Sequence, residues 1–271
     1  MTTKKQHFIP VMLLKRFAID SDKRKNLKIF AYNKGKHEEH IVSVRNVCYA
    51  KNLYETKNKD NTIMEENRNQ IENHLAKLEQ DWNNILVLVE ERRELSGDDI
   101  SNLRLLTAIQ ILRMPGQIEE AISLIKNHYP SVEEYVVDKY VKDQSLIVDG
   151  MQSGWMQHST LNVLEQYKLD ILHSKKTFIL SERCPVIMIK DFNDQTVKYI
   201  YFPISKNVCL RFSLCHGYDR DNVTKLNIDG KFVKRINSFL YSRDGEMIYG
   251  CESIQNRLKA KDIVNFGQIL A

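Results

Sequence analysis

The chain has 271 residues, of which 42% are apolar and 28% are charged, the composition of an ordinary soluble globular protein. It contains no run of about 18 apolar residues, so we expect no membrane-spanning helix, and we expect no secretory leader. Its five cysteines form no C-x-x-C pair, which favours reduced thiols and a cytoplasmic location. The net charge of +5 is uneven, because residues 1–60 hold 14 Lys and Arg against 6 Asp and Glu. Two interpretations of this basic segment stay open: a solvated surface, or a face that attracts a phosphate backbone.

The first sixty residues predict a short helix and a β-hairpin. Pro10 suits the first position of a helix over residues 11–19, because the N–H that proline lacks would have no partner there. Residues 27–32 and 41–44 are rich in β-forming side chains, and a polar turn at 33–36 lies between them. A hairpin is therefore expected within the basic segment.

A helical bundle is predicted over residues 63–174. Apolar side chains recur at three- and four-residue steps from Met64 to Val89, which is the period of a long amphipathic helix. Further helices are predicted at 100–112, 117–128, 131–143 and 155–173. In the third of these, Ser131 is expected as the N-cap and Glu134 at the reciprocal capping position.

Residues 176–271 change to short β-type runs separated by turns. These runs are 177–180, 186–189, 197–202 and 208–212. They predict an antiparallel meander, closed by a helix at 232–241, a strand at 247–249 and a helix at 252–269. We therefore expect one α+β domain over residues 1–271, with an N-terminal β-hairpin, a central α-helical bundle and a C-terminal antiparallel β-meander.

His7 is the first candidate functional residue, because it precedes Pro10 and the first predicted helix. An imidazole titrates near neutral pH and can ligate a metal, so His7 is a candidate metal ligand or general base. The alternative is a helix-entry residue that is hydrogen-bonded to the backbone.

Two carboxylates of the long predicted helix are also candidates. Glu72 and Glu79 are seven residues apart, so both point the same way, about 10 Å apart along the axis. A carboxylate beside an apolar face is expected to have a raised pKa and to need a partner. Arg113, on the following helix, is the expected partner of Glu72. The pair is either a structural ion pair or part of a catalytic cleft.

Polar residues near Arg113 extend this candidate site. Gln110 lies three residues before Arg113 on the same helix face and interrupts an apolar run, so it needs a partner. Together the two could hold a phosphate or a carboxylate, or simply bridge to Glu72 or Tyr54. Tyr54 is expected at the edge of the core with its hydroxyl satisfied.

Two further residues complete the candidate site. Glu55 would join His7 and Glu72 as an oxygen ligand of Mg²⁺ or Mn²⁺, because hard cations prefer carboxylates. Ser181 follows a β-type run and is interpreted as a turn hydroxyl that could line the site. The sequence has no P-loop, no dinucleotide-binding fingerprint and no HExxH zinc motif.

Several short segments occur along the chain in an order that is typical of a known family. They are Gln6 to Pro10 with Leu14 and Phe17, Ile29 to Asn33, Leu53-Tyr54, Ile71-Glu72, Leu78-Glu79, Gln110 to Pro115, Phe178 to Pro185, Phe202 to Ser205 and Arg235 to Asn237. Across nearly the whole chain this pattern resembles family 4238 of the bacterial domains of unknown function. One departure is Ser181-Glu182, where that family often has Ser-Asp before the late proline. The resemblance implies no settled activity, and suggests an association with mobile elements or phage defence.

We expect an intracellular bacterial hydrolase, a metal-dependent nuclease or phosphodiesterase in phage defence or a toxin system. In this hypothesis the catalytic residues are His7, Glu72, Gln110 and Arg113, and substrate contacts come from Arg113, Tyr54 and Ser181. The alternative is a non-enzymatic interaction or sensor module that binds a protein, a peptide or nucleic acid through the basic segment. The expected partners are nucleic acid or a nucleotide, with no membrane.

Overall fold

The structure is a computed structural model that describes residues 5–19, 27–60, 62–65, 68–114, 116–146, 148–149, 152–189, 197–214, 223–243 and 245–264. Its helices are α1 (Val11–Leu14), α2 (Gln70–Glu90), α3 (Gly97–Leu112), α4 (Gln117–His128), α5 (Glu134–Leu146), α6 (Trp155–Glu165), α7 (Gly230–Ser242) and α8 (Ile254–Lys259). Its strands are β1 (Lys5–His7), β2 (Lys28–Asn33), β3 (Glu38–Ser43), β4 (Tyr49–Lys51), β5 (Val148–Asp149), β6 (Gln152–Ser153), β7 (Tyr167–His173), β8 (Leu180–Ser181), β9 (Val186–Ile189), β10 (Val197–Ser205), β11 (Val208–Leu214), β12 (Thr224–Asn227) and β13 (Met247–Gly250). The fold class is α+β, as predicted.

The chain divides into two compact units, each built from separated stretches. Unit 1 comprises Met1–Ile9, Cys48–Ile85 and Gly97–Leu164. Unit 2 comprises Pro10–Val47, Leu86–Ser96 and Glu165–Ala271. The basic segment 1–60 is therefore shared between the units, and a single domain over the whole chain stays a prediction.

Unit 1 is mainly helical. Helices α3, α4 and α5 pack on one another, and their buried side chains include Leu103, Ile109 and Val141. Strand β1 pairs antiparallel with β4, so that His7 lies opposite Tyr49. This pairing brings the N-terminal residues into unit 1, where the candidate site residues of α2 and α3 also lie.

Unit 2 is built on two sheets. The first has the strand order β12-β7-β11-β10-β9, in which β12 runs parallel to β7 and the other pairs are antiparallel. The second has the order β3-β2-β13-β8 and is antiparallel throughout. Helix α7 buries Val233, Ile236 and Leu240 at helical spacing. Within the described ranges, no helix combines the length and the apolar character needed to cross a membrane.

The helix predicted at 155–173 is wrong in its second half. Helix α6 ends at Glu165, and Tyr167–His173 forms β7, which is hydrogen-bonded on both sides in the five-stranded sheet. From Leu169 onward every residue of β7 is buried. A strand that is buried on both faces loses the two-residue alternation by which a strand is recognised, so its sequence does not distinguish it from a helix.

Several helix ends also differ from the prediction. Helix α1 ends at Leu14 and is followed by a 3₁₀ turn to Phe17, where a helix to residue 19 was predicted, and α3 begins at Gly97 instead of residue 100. The final helix ends at Lys259 instead of continuing to 269, although residues 265–269 lie outside the described residues. Helix α5 begins at Glu134, so Ser131 is not its N-cap. Helix α2 begins at Gln70, which leaves Met64 in the segment before it. Side-chain periodicity continues past these ends, whereas the backbone hydrogen bonds do not.

Candidate functional site

The N-terminal strand of unit 1 is held by buried polar side chains. Gln6 is fully buried. Its Oε1 accepts a hydrogen bond from the backbone N–H of Tyr54 at 2.7 Å, and its Nε2 donates to the Glu55 carboxylate at 2.7 Å. The Tyr54 hydroxyl in turn donates to the backbone carbonyl of His7 at 2.9 Å. These bonds supply partners to groups that are buried away from water, as the stability of a folded core requires.

Arg113, just after the end of α3, is the centre of the cluster. Its side chain is only 2% exposed. Nε donates to the Tyr54 hydroxyl at 3.0 Å, one terminal nitrogen donates to Glu79 at 3.0 Å, and the other donates to the His7 carbonyl. Burial opposes the charge of the guanidinium, but Tyr54 and Glu79 outweigh it and raise the pKa of Arg113 above its usual value. The tyrosine bridge that the sequence left open is therefore confirmed.

The carboxylate partner of Arg113 is Glu79, so the predicted Glu72–Arg113 ion pair is wrong. Glu72 has a buried carboxylate oxygen with no hydrogen-bond partner among the described residues. The pKa of Glu72 is raised from 4.5 to about 7. Burial is the largest cause, the charge of Arg113 opposes it, and the charges of Glu79 and Glu55 add to it. A carboxyl with this pKa is about half protonated at neutral pH, the condition that suits general acid–base catalysis.

His7 meets the cluster through its backbone carbonyl. The carbonyl of His7 accepts from both Tyr54 and Arg113. The half-buried imidazole packs on the ring of Tyr49, with 5.7 Å between centroids and a tilt of 57°, and the Lys5 ammonium lies 4.5 Å from the centroid of the same tyrosine ring. Both interpretations of the His7 side chain, a helix-entry residue bonded to the backbone and a catalytic ring, stay predictions.

The predicted metal ligands are not arranged as a metal site. The Glu55 carboxylate is buried and is already bound by Gln6 and by the backbone N–H of Asn69 at 3.2 Å. In the part of the chain that the structure describes, no group of three or more His, Cys, Asp and Glu side chains could hold a metal ion. The donor set of His7, Glu55 and Glu72 therefore does not fit a preformed metal site, and a requirement for Mg²⁺ or Mn²⁺ stays a prediction.

Gln110 belongs to the cluster of unit 1, whereas Ser181 belongs to unit 2. Gln110 is 1% exposed, and its Nε2 donates to the backbone carbonyl of Phe8 at 2.9 Å. Ser181 is buried in β8, where its hydroxyl accepts from the backbone N–H of Arg183 at 3.2 Å. The interpretation of Ser181 as a turn hydroxyl is confirmed, and a contact with substrate stays a prediction.

A family model matches residues 5–253 of the chain. The chain belongs to DUF4238, a family of proteins of unknown function. The match covers all the candidate site residues of this DUF4238 protein, from His7 to Ser181. No curated protein and no solved structure matches the chain. Membership of DUF4238 names a family without an activity, so the function has to be argued from the site.

Sequence reasoning missed Gln6 and chose the wrong partner for Arg113. A signal for Gln6 existed, because neighbouring strand residues point to opposite faces and Gln6 therefore faces away from Lys5 and His7. No comparable signal separates Glu72 from Glu79. Their spacing of two helical turns places both on one face of α2, and only the packed position of Arg113 selects between them.

Proposed function

We propose that this DUF4238 protein is a phosphodiester hydrolase, a nuclease or phosphodiesterase, in which Glu72 is the general acid–base. The supporting observation is the Glu72 carboxyl itself. Its pKa is raised to about 7, and one of its oxygens has no hydrogen-bond partner among the described residues. A group that titrates near the working pH can both take and give a proton, which contributes about 10²–10⁴-fold to a rate.

The other residues of the cluster have distinct proposed roles. Three of the five N–H groups of Arg113 donate to described residues, and the other two are proposed to face the negative charge that develops on a phosphate. Tyr54 and Glu79 fix the plane of that guanidinium. Gln110 holds the Phe8 carbonyl and so positions the segment that carries the His7 ring. Mg²⁺ or Mn²⁺ is the proposed cofactor, bound with the substrate and not by a preformed protein site.

A hydrolysis assay tests this function. The purified chain is incubated with plasmid DNA, single-stranded DNA, RNA and bis(4-nitrophenyl) phosphate, in Mg²⁺, in Mn²⁺ and in EDTA. Glu72→Gln is compared with Asp81→Asn, which removes an exposed carboxylate from the same helix. We expect the wild type to cut at least one substrate, Glu72→Gln to lose at least about 100-fold in kcat/KM, and Asp81→Asn to change it less than twofold.

The pH profile gives a second measurement of the same role. For the wild type, kcat/KM should show an inflection near pH 7, which reports the free-enzyme pKa of Glu72. The residual activity of Glu72→Gln should lack that inflection. The proposal fails if the wild type cuts none of these substrates under any metal condition, or if Glu72→Gln behaves like Asp81→Asn.

A second candidate is a non-enzymatic interaction or sensor module that binds nucleic acid. The hydrogen bonds of three buried side chains favour this candidate. Tyr54, Gln110 and Arg113 all donate to backbone carbonyls of the N-terminal segment. In this case the cluster fastens the segment in place and performs no chemistry. The expected result is nucleic-acid binding without cleavage, unchanged in Glu72→Gln. For either candidate, the proposed setting is phage defence or a toxin system in the bacterial cytoplasm.

A further inference from the structure

The positive charge of the chain is concentrated in unit 2. This unit holds 28 Lys and Arg against 19 Asp and Glu, a net charge of +9. Unit 1 holds 12 against 16, a net charge of −4. The predicted basic segment 1–60 contributes to both units, so chain order hides this separation. A polyanion would be attracted to unit 2.

Three adjoining hollows in unit 2 form one basic groove. The first, about 320 Å³, and the second, about 460 Å³, share Arg92 and His173 in their linings. The third, about 620 Å³, shares Lys175 and Lys176 with the second. Among the described residues that line the three hollows there are eight Lys and Arg, against the four carboxylates of Glu90, Asp229, Glu252 and Asp262. The groove thus carries an excess of positive charge along its whole length.

His173, the last residue of β7, lies where the first two hollows adjoin. It is 4% exposed, and its Nε2 is buried with no hydrogen-bond partner among the described residues. Burial, together with the charges of Arg92 and Lys225, lowers the pKa of His173 to about 4, so the imidazole is neutral at pH 7. A buried ring nitrogen normally has a hydrogen-bond partner. An anion bound beside the two cations would supply that partner to Nε2 and would also pair with their charges.

The two cations beside His173 are held in place by hydrogen bonds within unit 2. Arg92 donates to the side-chain oxygen of Asn227 at 2.6 Å. The Lys225 ammonium donates to the backbone carbonyls of Arg92 and Arg93, just beyond the end of α2. Fixed cations lose little conformational entropy when an anion binds, so the position is preorganised.

The lining of the groove indicates which part of a nucleic acid it would contact. Among its described lining residues there is no Phe, Tyr or Trp side chain on which a base could stack. Lys175, Lys176, Lys231 and Lys234 are exposed along it. Flexible ammonium groups without aromatic partners are suited to phosphates and not to bases, which predicts binding without sequence preference.

We propose that the groove of unit 2 binds the phosphodiester backbone of nucleic acid, with one phosphate seated between Arg92 and His173. That phosphate accepts a hydrogen bond from His173 Nε2, and the next phosphates lie against Lys175, Lys176 and the lysines of α7. The inference rests on the proposed function only in taking a phosphodiester as the ligand, and it deepens the nucleic-acid-binding candidate. It requires no hydrolysis.

A binding experiment tests the groove separately from any cleavage. Fluorescence anisotropy is measured with labelled 20-mers of single-stranded DNA, double-stranded DNA and RNA in EDTA, from 50 to 300 mM salt. The variant is Lys175→Gln/Lys176→Gln, which changes two exposed side chains and so leaves the core intact. The matched control is Lys28→Gln/Lys36→Gln, which removes the same charge from exposed positions of unit 2 that do not line the hollows.

The groove predicts a difference between the two double variants. Lys175→Gln/Lys176→Gln should bind about tenfold more weakly at 100 mM salt and should reduce the salt slope by about two, one for each lost phosphate contact. The control should change affinity less than twofold. The three 20-mers decide whether DNA or RNA is preferred. Equal affinity of the two double variants, or no binding by the wild type at 50 mM salt, overturns the proposal.

His173 gives an independent test within the groove. His173→Gln keeps a side-chain N–H donor and should retain affinity within about threefold, whereas His173→Ala should lose about five- to tenfold. Circular dichroism checks that both variants are folded. If either variant is unfolded, the groove proposal is judged on Lys175→Gln/Lys176→Gln alone. The binding measurement is made in EDTA and requires no cleavage, so failure of the hydrolase proposal does not affect the groove proposal, and failure of the groove proposal does not affect the hydrolase proposal.

Discussion

Replacing Glu72 with Gln should make the protein more stable at alkaline pH. The folded-state pKa of Glu72 is about 7, against 4.5 in the unfolded chain. Between these two values the folded protein keeps a proton that the unfolded chain has released. The stability of the wild type therefore falls as the pH rises through this window, and the full penalty is present above pH 7. Gln has no proton to lose and escapes the penalty.

The magnitude follows from the pKa difference. A shift of about 2.5 units corresponds to about 3.4 kcal/mol at full effect. The Glu72 side chain is only partly buried, and solvent screening reduces the expected gain to about 1–2 kcal/mol. At pH 4, where the carboxyl is protonated in both states, the gain should vanish.

Urea denaturation followed by circular dichroism at pH 4 to 8.5 measures this effect. The free energy of unfolding of Glu72→Gln minus that of the wild type should rise from about zero to about 1–2 kcal/mol across the window. The same difference for Asp81→Asn, an exposed carboxylate of the same helix, should be flat. A Glu72→Gln protein less stable than the wild type at pH 8 would refute the reasoning, because Arg113 would then be stabilising the Glu72 anion by more than burial costs it.

Three further predictions concern the buried polar groups. Glu79→Gln removes the charge that faces the buried Arg113 guanidinium and should cost about 2–4 kcal/mol in urea denaturation; a loss below about 0.5 kcal/mol would show that the pair is not needed. Gln6→Ala removes the acceptor of the Tyr54 amide, so hydrogen exchange of that amide should accelerate at least tenfold while amides in the core of α3 stay protected. Burial raises the pKa of the Cys209 thiol far above its usual range, so the native protein should leave Cys209 unlabelled by a thiol reagent at pH 8 and label it in urea; rapid labelling of the native protein would contradict its burial.

Secondary structure was predictable where the residue types and the hydrophobic period point to the same element. The apolar period from Ile71 to Val89 corresponds to α2, and the β-forming runs around 200 and 210 correspond to β10 and β11. Prediction failed at β7, which follows α6 after a single residue and shows no alternation of buried and exposed side chains. It also contains Asp170, a residue type that is depleted in strands, so its composition did not mark it as a strand either. The partners of Arg113 were predicted only in part. Its contact with Tyr54 was among the predicted alternatives, whereas its ion pair with Glu79 was not predicted.

By itself, the sequence determined the α+β class, most helices, the need of Gln110 and Arg113 for partners, and the family. Those properties depend on local periodicity and on the cost of burying a polar group, both of which are visible along the chain. Only the tertiary structure decided that Arg113 binds Glu79 and the His7 carbonyl, that one Glu72 oxygen has no partner among the described residues, and that the positive charge collects in unit 2. Each of these depends on which distant segments meet, and the distance between two residues along the chain does not determine their distance in the fold.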